Sequence, residues 1–366
     1  MADLTDGERF IRTVIGEETD RAPYGVGLGW QPWPATVERW KAETGLAEIN
    51  LKEIFGFDYR DALPAQHQGI FPEFAPLVLE ETGDFIVTRN ERGTTMRNRR
   101  DLASMPDFLD YPVKARDDWD RLKGERLDPN APGRSHEDWD AFRARIRKTG
   151  EAVVVGSYPY GVFGGPREFM GAEEFLIAFC TDPAMVKDMM NHLTTLWLAV
   201  WEMAAGEVQI DRIHIWEDMS GRQGSLISPK MVREFMMPCY DRIAAFARDA
   251  GVRVISVDTD GRVDELVPIF MAHGVNLIYP FEVQAGNDVR DYRRKHRSLG
   301  ILGGLDKRAL AKDRSAIDRE VALAREMLTQ GRYIPSYDHH IPPDVDWESY
   351  AYSARELKAV CFRACG

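Results

Sequence analysis

The sequence predicts an α/β fold: a (β/α)8 TIM barrel with additional N-terminal helices and loops. Three observations carry that expectation. The second half of the chain repeats one unit, a short apolar run, a polar turn and an amphipathic helix. Strands that alternate with crossover helices must pair in parallel. The number of such units approaches the eight that close a barrel, and a length of 366 residues suits one barrel with extra helices. The apolar runs are 152–156 (AVVVG), 211–215 (DRIHI), 252–257 (VRVISV), 275–279 (VNLIY), 299–302 (LGIL) and 332–336 (RYIPS). Helical spacing of apolar residues follows at 184–206, 229–249, 263–272, 307–330 and 347–363, and a further strand candidate lies at 23–28 (PYGVGL). An open doubly wound sheet is the rival architecture and needs no closing strand. Residues 30–150 differ: rich in Trp, Pro, Arg and Asp, with WQPWP and LDPNAPGRSHEDWD, they read as loops, a few helices and a hairpin at 76–98. They are expected beside the barrel within one domain, 1–366.

Composition narrows the function. Apolar residues at 44% and charged residues at 29% are those of a globular chain, and no apolar run reaches the roughly 18 to 20 residues that span a bilayer. The start, MADLTDGERFIRTVIGEETD, is acidic and amphipathic and has the pattern of neither a secretory signal nor a transit peptide, so a cytoplasmic location is expected. With 59 acids against 47 bases the net charge of -12 repels polyphosphate, which disfavours nucleic acid and anionic membranes and leaves a small molecule or a protein as partner. Cys180, Cys239, Cys361 and Cys365 are too few for a disulfide framework and make no CxxC pair; they read as reduced structural thiols.

In parallel α/β folds chemistry gathers just beyond the C-terminal ends of the strands. There the sequence places Ser157 to Gly161, Trp216-Glu217-Asp218, Asp258-Thr259-Asp260-Gly261, Pro280-Phe281-Glu282, Gly303 to Lys307 and Tyr337-Asp338-His339-His340. Carboxylates crowded at one rim repel one another unless a proton, a base or a cation intervenes. Glu217, Asp258, Asp260 and His339 are candidate ligands of a divalent metal, zinc first. The competing arrangement is an ion-pair network with Arg222, Arg262, Lys307 or Arg308. Tyr158, Tyr160, Phe163 and Trp30, with Trp33 and Glu282, are candidates to line a substrate pocket, against the plainer role of packing the barrel mouth. His214, inside its apolar run, reads as a hydrogen-bonded inner-barrel residue. The glycines of PYGVFGGP, Gly161 and Gly164-Gly165, and Gly303-Gly304 let backbone amides approach an anion. No GxxxxGK[ST], complete GxGxxG or GxSxG motif occurs, which disfavours nucleotide chemistry and covalent hydrolysis.

Several segments resemble a known family: GSYPYGVFGGPREFMGAEEFLIAFCTDPAMVKDMM, EDMSGRQGSLISPKMVREFMMPCYDRI, VDTDGRVDELVP, FEVQAGNDV, GGLDKRAL and GRYIPSYDHHIPPDVDWESYAY. They resemble the uroporphyrinogen decarboxylase-like superfamily, which includes corrinoid-dependent methyltransferases, over about residues 5–363. The resemblance implies a (β/α)8 barrel. The decarboxylase itself carries an early arginine-bearing segment similar to RQAGRY that holds a polycarboxylate porphyrinogen. The matching stretch here, APYGVGLGWQPWP at 22–34, has no basic residue, and a substrate with several carboxylates would meet an acidic rim. The thiol-methylating branch binds zinc through a His-x-Cys pair and a later Cys. Those positions fall on Asp258 and Asp260 and near His339, a harder ligand set.

The resemblance therefore implies a demethylase component that moves a methyl group from a small methoxy or related compound to cob(I)alamin. No DxHxxG-like cobalamin signature occurs, so the corrinoid is expected on a separate protein. A metal, or a proton from His340 or Asp338, would steady the departing oxygen, with Asp258 and Asp260 catalytic. The rivals are a decarboxylase or lyase of a small acid using Asp258 or Asp260, and a non-catalytic binding protein. A homodimer is compatible with all three.

Overall fold

The computed structural model describes residues 3–58, 61–100 and 106–363. Cys365 lies outside them. Four strands, β1 (Leu77–Glu81), β2 (Phe85–Arg89), β3 (Thr95–Arg99) and β4 (Asp107–Asp110), make an antiparallel sheet in that order. Six strands make the parallel sheet: β5 (Val154–Gly156), β6 (Arg212–Trp216), β9 (Val254–Asp258), β10 (Leu277–Tyr279), β11 (Gly300–Leu302) and β12 (Tyr333–Ile334), in the order β12-β11-β10-β9-β6-β5. Between β6 and β9 lies the small hairpin β7 (Ser220–Gly221) and β8 (Gly224–Ser225). Each of the six apolar runs of the second half has become one parallel strand, and helices such as Pro183–Ala205, Met237–Asp249, Arg314–Thr329 and Trp347–Arg363 separate them. No helix among the described residues is long and apolar enough to cross a membrane.

This is the TIM-barrel class the sequence predicts, with one correction at the closure. The arc between β5 and β12 is filled by extended segments rather than regular strands. Ala62 bridges in parallel to Val153, the Asp58 N–H donates to the Tyr24 carbonyl at 2.9 Å, and Pro32 bridges in parallel to Ile341. The strand expected at 23–28 is one of these segments. Gly25 and Gly27 take φ of 75° and 99°, and the chain turns into a short 3-10 helix, Leu28–Trp30, before a ladder can form.

Register decides what faces inward. His214 lies opposite Ser256, and Asp258 lies opposite both Trp216 and Tyr279. Successive strand residues point to opposite faces, so Ser256 and Asp258 share the inner face while Ile255 and Val257 look out to the helices. The packing follows that division. Val155, Ile213, Ile215, Ile255, Val257, Ile278 and Ile301 belong to the large core shared with the helices. Val254, Leu277, Leu302 and Ile334 form a separate inner cluster closed by Phe10, Ile11 and Val14. Those three come from the helix Asp6–Ile15, which starts where Thr5 accepts the Glu8 N–H and ends at Gly16 with φ 74°. Gly7 lets this helix reach the start of β5: a Cβ there would stand 2.6 Å from the Ala152 nitrogen. The barrel floor is thus an apolar plug.

In the irregular region the expected hairpin is present as β1 and β2, and it continues through β3 to β4. The extension escaped notice because β1 and β4 are exposed along their whole length, so no alternation of apolar and polar residues marks them. The loops beneath are gathered by the buried Arg134, whose guanidinium donates to the carbonyls of Asp128 (2.6 Å), His67 and Gly69 (2.8 Å each) and Arg126 (3.0 Å). A core truncation in the plug, Leu277→Ala, is expected to cost about 2–5 kcal/mol in urea unfolding. The exposed Leu79→Ser should stay within about 0.5 kcal/mol.

Candidate active site at the barrel mouth

Above the plug the same register stacks four polar side chains. His214 Nδ1 lies 2.8 Å from Ser256 Oγ, whose hydroxyl donates to the Ile213 carbonyl at 3.2 Å. That bond uses the serine hydrogen, so the network assigns the imidazole proton to Nδ1 and leaves Nε2 bare, 3.4 Å from the Tyr279 hydroxyl. The Tyr279 hydroxyl also faces the Asp258 carboxyl closely enough to act on its proton affinity. Burial, with the Arg212 charge adding to it, pushes His214 down to about 3, so the ring is neutral. Burial also holds Asp258 well above the usual carboxylate range, reinforced by the negative charges of Asp260 and Asp218 and opposed by the Tyr279 hydroxyl. A protonated Asp258 would donate to the Tyr279 oxygen and free the phenol hydrogen for His214. Hydrogens would then run in one direction, from the half-buried Asp258 at the mouth to the Ile213 carbonyl. His214 occupies the inner-barrel position its sequence context predicts. Ser256 and Tyr279 were not singled out; counting alternate residues along the six apolar runs would have found them.

Glu217 is elsewhere in kind. Its carboxylate is fully buried and accepts the N–H groups of Val162 (3.1 Å), Phe163 (2.6 Å) and Gly164 (3.1 Å) and the Tyr240 hydroxyl (2.6 Å). Burial raises its affinity for a proton and these four bonds oppose the rise. The expected metal ligand is therefore a structural anchor with its oxygens fully engaged. It also explains the glycines. A Cβ at Gly161 or Gly164 would stand 1.8 Å or 2.3 Å from the Trp216 carbonyl, so only glycine lets the loop wrap the carboxylate. The anion those amides approach is the protein's own Glu217.

Other expected residues also turn inward. Asp338 is buried and accepts the Val283 N–H (2.9 Å) and the Lys307 N–H (3.2 Å), tying two loops together rather than offering a proton at the mouth. Trp30 donates to the Pro335 carbonyl at 3.1 Å and packs on Tyr24, Phe57 and Tyr337; Phe163 packs on Phe175 and Phe179. Both are buried core residues, not pocket walls. His340 is half-buried with Nδ1 3.2 Å from the Gln31 carbonyl, and burial lowers its pKa, so it stands neutral against Trp33. Glu282 accepts the Gly261 N–H at 2.9 Å. Asp260 and His339 meet at 3.6 Å. Tyr158 is exposed and sets its ring edge-on to Trp216, while Tyr160 lines an adjoining cleft.

The expected metal set does not come together. With Glu217 engaged by four donors and Asp258 facing the Tyr279 hydroxyl, only Asp260 and His339 are left of the four. Among the described residues no group of three or more His, Cys, Asp or Glu side chains is placed to hold a metal. Of the ion-pair alternative, Arg262 pairs with Asp264 and Arg308 with Asp306, while the Lys307 charge acts on the buried Asp338. A further base at the rim is Arg167, on the helix Gly164–Met170. It pairs with Asp218 at 2.6 Å and lies 4.9 Å from the centre of the Trp216 ring. Nothing in its local sequence marks it.

The family model described as Uroporphyrinogen decarboxylase (URO-D) matches residues 85–359. The chain belongs to the uroporphyrinogen decarboxylase family. Among solved structures, this URO-D chain is similar to a methyltransferase from Methanosarcina mazei, with 16% identity over 98% of each chain and a TM-score of 0.59. At that identity the likeness shows the shared barrel. Comparison with the curated proteins returns no match.

Two outcomes test this geometry. Glu217→Ala strands three buried N–H groups and a hydroxyl, and is expected to cost about 3 kcal/mol or more in urea unfolding. His214 titrates near the ordinary imidazole value of 6.5 when unfolded and at about 3 when folded. The unfolded chain therefore binds the extra proton, and the contribution is full above neutral pH and lost as pH falls from about 6.5 toward about 3. By pH 5 the loss amounts to about 2 kcal/mol. In His214→Asn that part of the pH dependence should vanish, as measured by denaturant midpoints between pH 7.5 and 5.

Proposed function

We propose that this URO-D-family chain is a methyltransferase that removes the methyl group of a small methoxy or related methylated compound and passes it to a corrinoid carried by a separate protein. The observation that carries the reading is the Asp258 carboxyl: half-buried at the strand end, with its proton affinity raised by burial and by the neighbouring Asp260 and Asp218. Departure of an alkoxide or phenolate needs a proton as its negative charge develops, and a protonated acid at that point is matched to the task. The similarity to a methyltransferase supports the same direction. When docked, the corrinoid supplies the nucleophile that accepts the methyl group.

The chain's own part is proton management. Asp258 gives its proton to the leaving oxygen as the carbon-oxygen bond breaks. The carboxylate left behind accepts the Tyr279 O–H, which turns from His214 to Asp258, so the new charge is hydrogen-bonded without moving the backbone. His214, neutral throughout, is the resting acceptor for that hydroxyl. Asp260 lies beside Asp258 and meets His339, and Tyr158 stands exposed at the rim to face the substrate. No metal is assigned a step, because Glu217 has no free lone pair to give one.

A decarboxylase of a small acid is favoured by one of the same facts, since a protonated Asp258 also serves to protonate a carbanion. The rim carboxylates repel such a substrate. Mixing the protein with a reduced corrinoid carrier and a panel of methoxyarenes and methylamines should produce the methyl-cobalt(III) absorption spectrum. Asp258→Asn should slow that signal by about 100-fold or more with unchanged circular dichroism. Release of carbon dioxide from a carboxylic acid panel, with no methyl-cobalt signal, would replace this reading by the decarboxylase.

A further inference from the structure

A small cleft of about 100 Å³ opens between the β2–β3 turn and the barrel's helices, lined among others by Glu73, Glu91, Arg92, Tyr160, Glu168 and Trp197. It joins two parts of the chain that have little else in common: Glu91 and Arg92 come from the antiparallel sheet, Tyr160 from the loop after β5, and Trp197 from the helix Pro183–Ala205. Phe169 and Leu193 complete an apolar wall.

Its polar groups are of both signs. Glu168 is largely buried and its carboxylate lies 3.5 Å from the Arg92 guanidinium, which also donates to the Tyr158 hydroxyl at 3.1 Å. Glu73 and Glu91 both act on the Tyr160 hydroxyl, which burial has already pushed up. Two donors of this cleft's lining are unsatisfied. Trp197, 1% exposed, has an indole N–H without a partner, and so does the Arg92 Nε. Buried donors left in this state are rare in folded proteins and call for an acceptor. A simple cation would leave both donors unmatched and would sit beside a guanidinium. A simple anion would face three carboxylates. Only a ligand that carries both charges matches the lining, with the aromatic faces suited to an ammonium group.

We propose that this cleft binds a small zwitterion, an ammonium group joined by a short chain to a carboxylate. The carboxylate takes Arg92 and the Trp197 N–H; the ammonium lies among Glu73, Glu91 and the ring of Tyr160. This rests on the cleft alone and stands whether or not methyl transfer occurs at Asp258.

Isothermal titration of the full chain tests it with four probes: glycine betaine and alanine as zwitterions, tetramethylammonium as the cationic half, and 3,3-dimethylbutanoate as the betaine isostere that lacks the positive charge. At least one zwitterion should bind about tenfold or more tightly than either half. The preference between betaine and alanine tells a methylated from a free ammonium ligand. Glu91→Gln, on a surface turn, should weaken zwitterion binding several-fold with unchanged thermal unfolding, and Arg92→Lys, which keeps a charge beside the largely buried Glu168, should weaken it with unchanged circular dichroism. Equal binding of a half, no binding of either zwitterion, or unaltered affinity in both variants overturns the proposal.

Discussion

The site rests on the parallel register of β6, β9 and β10. It sets His214 level with Ser256, and Tyr279 level with Asp258, on the one face that looks into the barrel. A slip of one residue would turn all four outward into the helical layer and bring isoleucines into the interior. The apolar plug guards against that slip, because Val254 and Leu277, which precede Ser256 and Tyr279 by two residues, already fill the floor under the helix Asp6–Ile15. Polar side chains above and apolar ones below are thus two readouts of one alignment.

Two carboxylates at neighbouring strand ends show how environment, not identity, assigns a role. Glu217 and Asp258 both leave the C-terminal end of a strand, and burial raises the proton affinity of both. Glu217 receives four donors and is spent on holding the loop 161–164 in place. Asp258 has no such backbone cradle, faces only the Tyr279 hydroxyl, and is half-buried. The first fixes the mouth; the second is left able to exchange a proton.

The strand and helix pattern of the second half was legible in the sequence because each apolar run is continuous and each helix periodic. The closing arc was not: at 23–28 glycines with positive φ break a run that composition alone makes strand-like. Position at a strand exit located Asp258, Asp260, His339 and Tyr158, yet it also nominated Glu217, Asp338, Phe163 and Trp30. What separates the two groups is whether backbone amides or neighbouring rings close over the side chain. That depends on contacts from segments 50 or more residues distant, as between Glu217 and Phe163 or Trp30 and Pro335. Tyr279 lies in a plain apolar run and Arg167 was not singled out within its segment, and their place comes from register and from helix packing.

The cleft beside the mouth has one wall built on the barrel and another on the exposed antiparallel sheet, which meets it through the turn holding Glu91 and Arg92. The lining is therefore drawn from two scaffolds, and a change in the surface turn would alter one wall while the strands that align Asp258 stay untouched.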